Sequence, residues 1–393
     1  AFRAGRATAT EWDDASRGSR SMAWGDTCTA SGADSTAGGA ACDATAQGAT
    51  AIGNQNTASQ TGSTAIGSDN DATGLYAVAL GGGSQASGDN SQASGGSFAN
   101  PAVASADFSA ARGPDTLASA RAASADGELV TASGIGSRAE GQGTTTNTVV
   151  ASGDGAYAHG LAGSVATVTA SGDGARATGK PSGNVSSHSV TASGDNARAH
   201  GSACDADTDY GEATGLGAST STRGERARAC QTVSDGGGGV KQGAAQMGDA
   251  HAFALTTDAT QTVLIPAGGA DTFTLPVGKT YQLECIVAAR HVSGAAGAAN
   301  DSKTWHFHCT ITKTGAGVAT LDRIYSINGA AAAPAFANEA AGAALKYLYR
   351  TGAGVPWALD VQIVANELRV RGTGQVNEDV QWSAAIRYVV AGQ

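Results

Sequence analysis

From about residue 16 to residue 229 the chain has few of the bulky apolar side chains that usually build a core, and the positions that repeat are filled by the smallest residues. Alanine stands at every seventh position from Ala23 through Ala30, Ala37, Ala44, Ala51, Ala58, Ala65, Ala72, Ala79 and Ala86 to Ala93. Two positions after most of these comes a glycine, as at Gly25, Gly39, Gly53, Gly67, Gly81 and Gly95, with Ala46 and Gln60 as the exceptions. After a slip of four residues the lattice resumes at Ala104 and runs by sevens to Ala139.

A heptad of this kind excludes a coiled coil, which needs large apolar residues at two positions of each heptad and few glycines. In an extended strand, residues two apart point to one side, so Ala-x-Gly places two minimal side chains toward a narrow interior. The pattern predicts a thin parallel β-solenoid whose backbone hydrogen bonds run from coil to coil and whose fold needs little aliphatic bulk. The residue between Ala and Gly sets the true period. Trp24, Ile52, Ile66 and Leu80 fall at multiples of fourteen, with hydroxyl residues such as Ser31, Thr45, Ser59 and Thr73 in the alternate slots. A fourteen-residue coil of two strands follows, with an outward apolar stripe that predicts burial by self-association. Gly38 interrupts the stripe, and Arg112, Asp126 and Glu140 replace it further along.

From Ala132 the unit recurs with spacers, its first glycines at Gly134, Gly153, Gly172 and Gly194, spaced by 19, 19 and 22 residues. These are coils carrying inserts at one point, which predicts loops stacked on one edge. The inserts bring Val149, Val150, Val165, Val168, Val185 and Val190, read here as a replacement for the outward apolar stripe. Composition then changes at the run Gly236–Gly239. Beyond Phe253 alternating runs such as KTYQLECIVAARHV, KTWHFHCTIT and VQWSAAIRYVV predict an antiparallel β-sandwich. Tyr281, Leu283, Cys285 and Val287 share one strand face, and Trp305, Phe307, Cys309 and Ile311 another, both read as core. The fold class is therefore all-β, with a lead-in at 1–15, a solenoid at 16–233, a Gly-rich linker at 234–252 and a sandwich at 253–393.

Composition adds exclusions. The 57 glycines among 393 residues, with charged residues at 15%, set the chain apart from ordinary globular enzymes. With 24 basic against 34 acidic residues and no basic block, nucleic acid is not an expected partner. No apolar run is long enough for a membrane helix, so membrane insertion is not expected. The start at Ala1, without Met or leader, is read as trimmed or processed. Cys28, Cys42, Cys204, Cys230, Cys285 and Cys309 have no metal-type spacing and are expected to be buried free thiols.

Candidate chemistry is sparse. Asp205, Asp207 and Asp209 occupy alternate positions as in a calcium loop, but Tyr210 stands where that loop needs glycine and Leu216 where it needs glutamate, so an EF-hand is rejected and the three are read as a solvated acidic turn, with a cation held at the solenoid edge as the alternative. His159 and His200 fall in equivalent slots, either as exposed polar residues or as ligands repeated around a symmetry axis. His306 and His308 flank Phe307 and point away from the core face, as surface histidines or with one of them a ligand. No nucleophile elbow, zinc-protease helix or phosphate loop is present. The expectation is a protein that is not an enzyme, without cofactor or metal, although glycan cleavage needs only two carboxylates that are not adjacent in sequence.

Two resemblances sharpen this reading. The segment ATAIGNQNTASQTGSTAIGSDNDATG, Ala49 to Gly74, resembles the YadA-type head repeats of trimeric autotransporter adhesins. That resemblance implies left-handed β-rolls wound into homotrimers, with Trp24, Ile52, Ile66 and Leu80 at the trimer interface. The membrane anchor and coiled-coil stalk of those adhesins have no counterpart here, which favours a virion protein. The C-terminal third, with TTDATQTVL, VAARHVSG, PWALDVQI and VQWSAAIRYV, resembles the tip domain of tailed-phage fibres and implies a trimeric, jelly-roll-like tip. Together they imply a homotrimeric tail fibre, made in the host cytoplasm and carried on the virion. Its base would be held by other virion or tail proteins, and its tip would bind a host-surface glycan or protein. Asn300, Asp301, Tyr349 and Arg350, in segments joining long strands, are the candidate contact residues. The alternatives are a tailspike with glycan depolymerase activity, a capsid fibre or a bacterial adhesin fragment.

Overall fold

The protein is described from a computed structural model covering residues 2–6, 17–144, 148–162, 166–180, 189–229, 233–234, 240–241, 245–266, 273–275, 278–294, 302–313, 319–326, 357–364 and 367–392. Among the described residues every regular element is a β-strand, so no helix is long and apolar enough to cross a membrane. The solenoid has about fourteen coils. The chain divides into two compact units, residues 1–192 and 193–393.

In the first unit a coil is a strand of three to five residues, a corner, a short strand and a turn, as in Thr50–Asn54 followed by Thr57–Ala58. Successive coils stack in parallel and in register, Ala51 beside Ala65 and Ala65 beside Ala79, and Ala58 beside Ala72. The lattice alanines are buried, most at 0% exposure, so the narrow interior expected from the Ala-x-Gly spacing is observed. Gly53 has φ +126°, and a Cβ there would lie 2.0 Å from the carbonyl oxygen of Gly67 in the next coil. The glycine column is thus required both by backbone conformation and by the closeness of coils. The corners satisfy their own backbone in the same way: Gln55, at φ 54°, donates its N–H to the Ala40 carbonyl at 2.8 Å, and Asp69, at φ 53°, donates to Asn54 at 2.9 Å.

Polar side chains also fill interior slots where coils stack. Asn56 and Asn70 are both fully buried; the Asn70 amide donates to Asn56 Oδ1 at 3.0 Å, and each also donates to backbone carbonyls of its own coil and the next. Such a ladder leaves few buried polar atoms unpaired. Further along, Val130, Val149 and Val168 continue the inner column, each at 0% exposure and paired in register, ending at Val190. This corrects the reading of Val149, Val168 and Val190 as an outward stripe, whereas Val150, between two inward residues, is half-buried in the outward slot. Val149 is two residues before the inward Ala151 and therefore shares its side, as do Val168 with Ala170 and Val190 with Ala192; Val165 and Val185 lie outside the described residues.

The second unit holds the coil strands Arg198–Ser202, Glu212–Leu216 and Arg226–Ala229, in parallel. The last of these pairs antiparallel with Ala245–Thr256, so one sheet passes from solenoid to sandwich. That sheet continues through Glu378–Gly392, Lys279–Gly294, Ser302–Lys313 and Thr320–Ser326. A second, smaller sheet contains Ala358–Val364, Glu367–Thr373 and the short strands Gln261–Val263 and Phe273–Thr274. Tyr281, Leu283, Cys285, Val287, Trp305, Phe307, Cys309 and Ile311 from the first sheet share a core with Leu359, Val361, Leu368 and Val370 from the second. Trp382 stacks on Trp305 at 5.4 Å and meets Trp357 edge-on at 6.4 Å, tying the layers together. The predicted sandwich and its core faces are thus seen as far as the described residues extend. Cys28, Cys42, Cys204, Cys285 and Cys309 are buried and free, and Cys230 lies outside the described residues.

Candidate functional site

Parallel register turns the outward slot of the first unit into a column. Trp24 stands beside Gly38, Gly38 beside Ile52, Ile52 beside Ile66, Ile66 beside Leu80 and Leu80 beside Ser94. Ile66 is 40% and Leu80 38% exposed, unusually open for aliphatic side chains one coil apart. Gly38 does not break the column, because its missing side chain is the space occupied by the Trp24 ring; a Cβ at Gly38 would lie 2.2 Å from that ring. Beyond Ser94 the column holds Arg112, Asp126, Glu140 and His159, and Arg112 pairs with Asp126 at 3.1 Å. His159 is exposed and stacks on Tyr157 at 6.2 Å, while the Tyr157 hydroxyl donates to Glu140 at 2.9 Å and Arg176 lies over its ring at 5.2 Å. The apolar column therefore gives way to a polar and aromatic face.

In the second unit the outward face of the large sheet carries a row of charged and ligand-type side chains. Arg226 stands opposite Asp249, Asp249 opposite Arg387, Arg387 opposite Glu284 and Glu284 opposite His308. His306 lies diagonally from Glu284, with its Nε2 2.8 Å from Glu284 Oε1. Arg387 reaches the other carboxylate oxygen at 3.8 Å. Glu284, His306 and His308 each offer one ligand atom, all within 4.8 Å of one another, and the three are half-buried. A groove of about 460 Å³ borders this row, lined among others by Arg228, Met247, Gln282 and Tyr388. Sequence alone placed both histidines on the outer face; the partner Glu284 needed the register between strands.

Asp205, Asp207 and Asp209 meet different surroundings. Asp205 is a strand residue, whose carboxyl burial pushes up to about 6 with a further push from Asp207. Asp209 instead accepts the Asp195 backbone N–H at 3.1 Å and faces Arg223 at 3.8 Å. Asn300, Asp301, Tyr349 and Arg350 lie outside the described residues. One buried acid escaped the sequence reading. Glu225, 1% exposed, accepts the backbone N–H groups of Ser221 at 2.6 Å and Thr222 at 2.8 Å and a hydrogen bond from the Tyr388 hydroxyl. Its slot holds a small residue in other coils, Ser35, Ala49, Ser63, Ala77 and Gly211 among them, so the signal available was a large charged residue in a position otherwise held by small ones.

Residues 44–70 and 72–96 match the YadA head domain repeat, in two copies. No curated protein matches the chain. Among solved structures, the tailspike protein of Acinetobacter phage vB_ApiP_P1 is similar at 10% identity and a TM-score of 0.19, covering 95% of this chain and 76% of that one. The tailspike of Acinetobacter baumannii phage AM24 follows at 8% identity and a TM-score of 0.20, covering 94% of this chain and 65% of that one. Tailspike protein gp49 of A. baumannii bacteriophage Fri1, a capsular polysaccharide depolymerase, is similar at 8% identity and a TM-score of 0.20, covering 95% of this chain and 68% of that one. The expectation that the chain is not an enzyme is corrected by this comparison, since one of the matched proteins is a depolymerase. A likeness at that TM-score assigns no catalytic residue here.

Proposed function

We propose that the chain is a homotrimeric fibre or tailspike of a tailed bacteriophage, carried on the virion, that attaches it to a glycan or protein of the host surface. The observation that carries the reading is the outward apolar column of half-buried Trp24 and Ile52 and exposed Ile66 and Leu80, the last three within head repeats of the YadA kind. A rigid stack of coils with one apolar face supports self-association, and covering the exposed two-fifths of an aliphatic side chain such as Ile66 contributes about 1 kcal/mol. Three copies also convert weak single contacts into firm attachment to a densely repeated surface. In this reading residues 16–233 are structural, 253–393 contact the host, and Asn300, Asp301, Tyr349 and Arg350 are contact residues. Other virion or tail proteins hold the base.

The mass of the purified chain in solution tests the assembly. A particle of three times 38.4 kDa is expected, and Ile66→Asp with Leu80→Asp is expected to release monomers. A wild-type chain that sediments as a monomer would remove the interface and the avidity argument together. The tip assignment has its own test: Asp301→Ala with Arg350→Ala is expected to lower adsorption to host cells at least tenfold, with the trimer intact. Because one matched protein is a capsular polysaccharide depolymerase, the same preparation is incubated with purified capsule. Release of oligosaccharides would define the tailspike form of the proposal.

A further inference from the structure

We propose that Glu284, His306 and His308 form a binding site for a divalent transition-metal ion of the zinc type. The site lies on the outward face of the sandwich's large sheet, where His306 and His308 are two residues apart on the strand Ser302–Lys313 and so project to one side. Glu284 faces His308 directly across the ladder from the neighbouring strand. A cross-strand Glu–His hydrogen bond would by itself be an ordinary surface pair. The addition of a second imidazole, with all three donor atoms within 4.8 Å, makes it a convergent donor set.

The chemistry of the donors selects the ion. Two imidazoles and one carboxylate suit zinc, cobalt, nickel or copper, whereas calcium and magnesium require a shell of oxygens that these residues do not supply. Ligand bonds of about 2.0–2.2 Å place tetrahedral donors roughly 3.4 Å apart, so the His306–Glu284 pair opens slightly and His308 draws in, which side-chain rotation provides while the paired strands hold their backbones. His306 Nε2 now lies 2.8 Å from Glu284 Oε1 and carries the shared hydrogen when it donates. Metal binding replaces this hydrogen bond, with the Nε2 lone pair and Oε1 both directed at the ion. Arg387 stands 3.8 Å from Glu284 Oε2, leaving Oε1 for the ion, and its side chain is 67% exposed, so solvent screens its charge. His306 is 22% and Glu284 30% exposed, sheltered enough to order the ligands and open enough for an ion to enter. The fourth position is left to water, the pattern of a three-ligand zinc site.

The test uses the full chain stripped with chelator and titrated with zinc chloride by calorimetry, then with cobalt chloride while visible absorption is followed. Saturable binding of one ion per chain is expected, with a visible cobalt band. His308→Ala and the pair His306→Ala/His308→Ala are expected to weaken binding about tenfold or more. Glu284→Gln keeps the hydrogen-bonding shape and removes the charge, so it is expected to weaken binding comparably while keeping the fold, should the histidine variants fail to fold. His251→Ala, on another strand of the same sheet, is expected to bind as wild type. Absence of saturable binding, or binding unchanged in Glu284→Gln and in the double histidine variant, would overturn the proposal. None of these outcomes depends on the chain being a trimer or a phage fibre.

Discussion

Among the described residues, Glu225 carries a clear pH dependence. Burial raises its carboxyl from the ordinary 4.5 to about 7, against the opposing pull of the Ser221 and Thr222 hydrogen bonds. Because the folded-state value lies above the unfolded one, the folded state favours the protonated form. The contribution to stability is full below about pH 4.5 and is lost as pH rises through 7. Unfolding of the second unit, followed by denaturant titration, is expected to show a loss of about 2–3 kcal/mol between pH 4.5 and pH 8. Glu225→Gln, which keeps the shape, is expected to remove about that part of the profile and leave the smaller one that Asp205, raised to about 6, contributes in the same direction; an unchanged profile would show that Glu225 is not responsible. At this scale the sequence was legible where residues obey the lattice and opaque where they answer to distant strands. Glu225 meets Tyr388, 163 positions away, a contact that no local pattern encodes.

The coil, as an element, is specified by its smallest residues. Gly53 combines φ +126° with a neighbouring carbonyl where a Cβ would stand, while Gly48 has φ +66° and open space around it. Gly53→Ala is therefore expected to cost at least about 3 kcal/mol through strain and the forced separation of two coils, and Gly48→Ala only about 1 kcal/mol. Thermal unfolding of the two variants checks the contrast, and equal melting temperatures would contradict the close-packing account. The alternation that predicted the coil from Ala51 and Gly53 also predicts the inner valines once it is counted back from Ala151. Treating the inserts as separate from the strand that follows them hides that continuity. The paired runs of the sandwich were legible because Tyr281, Leu283 and Cys285 alternate with Gln282 and Glu284 on a half-solvated sheet.

For the whole molecule, the sequence conveyed a repetitive part and a sandwich, but cross-strand sites required register. His306 and His308 can be assigned to one face from spacing alone, yet Glu284 lies 22 residues away from His306 and joins them only through strand pairing. The apolar column was legible because the period is constant, so that one slot per coil becomes one line on a surface. The constancy of register has a further consequence for how such a chain changes over generations. Strands on either side of the inserted segments stay aligned, Gln142 beside Leu161 and Val149 beside Val168, although the coils differ in length. Extra residues at that corner widen a rung and leave its spacing alone, whereas removing a whole fourteen-residue rung shortens the stack by roughly 4.8 Å and leaves every other contact type in place. Reach and surface decoration are thus separately adjustable, and a foreign peptide spliced between Gly143 and Thr148 is expected to be displayed without unfolding its host.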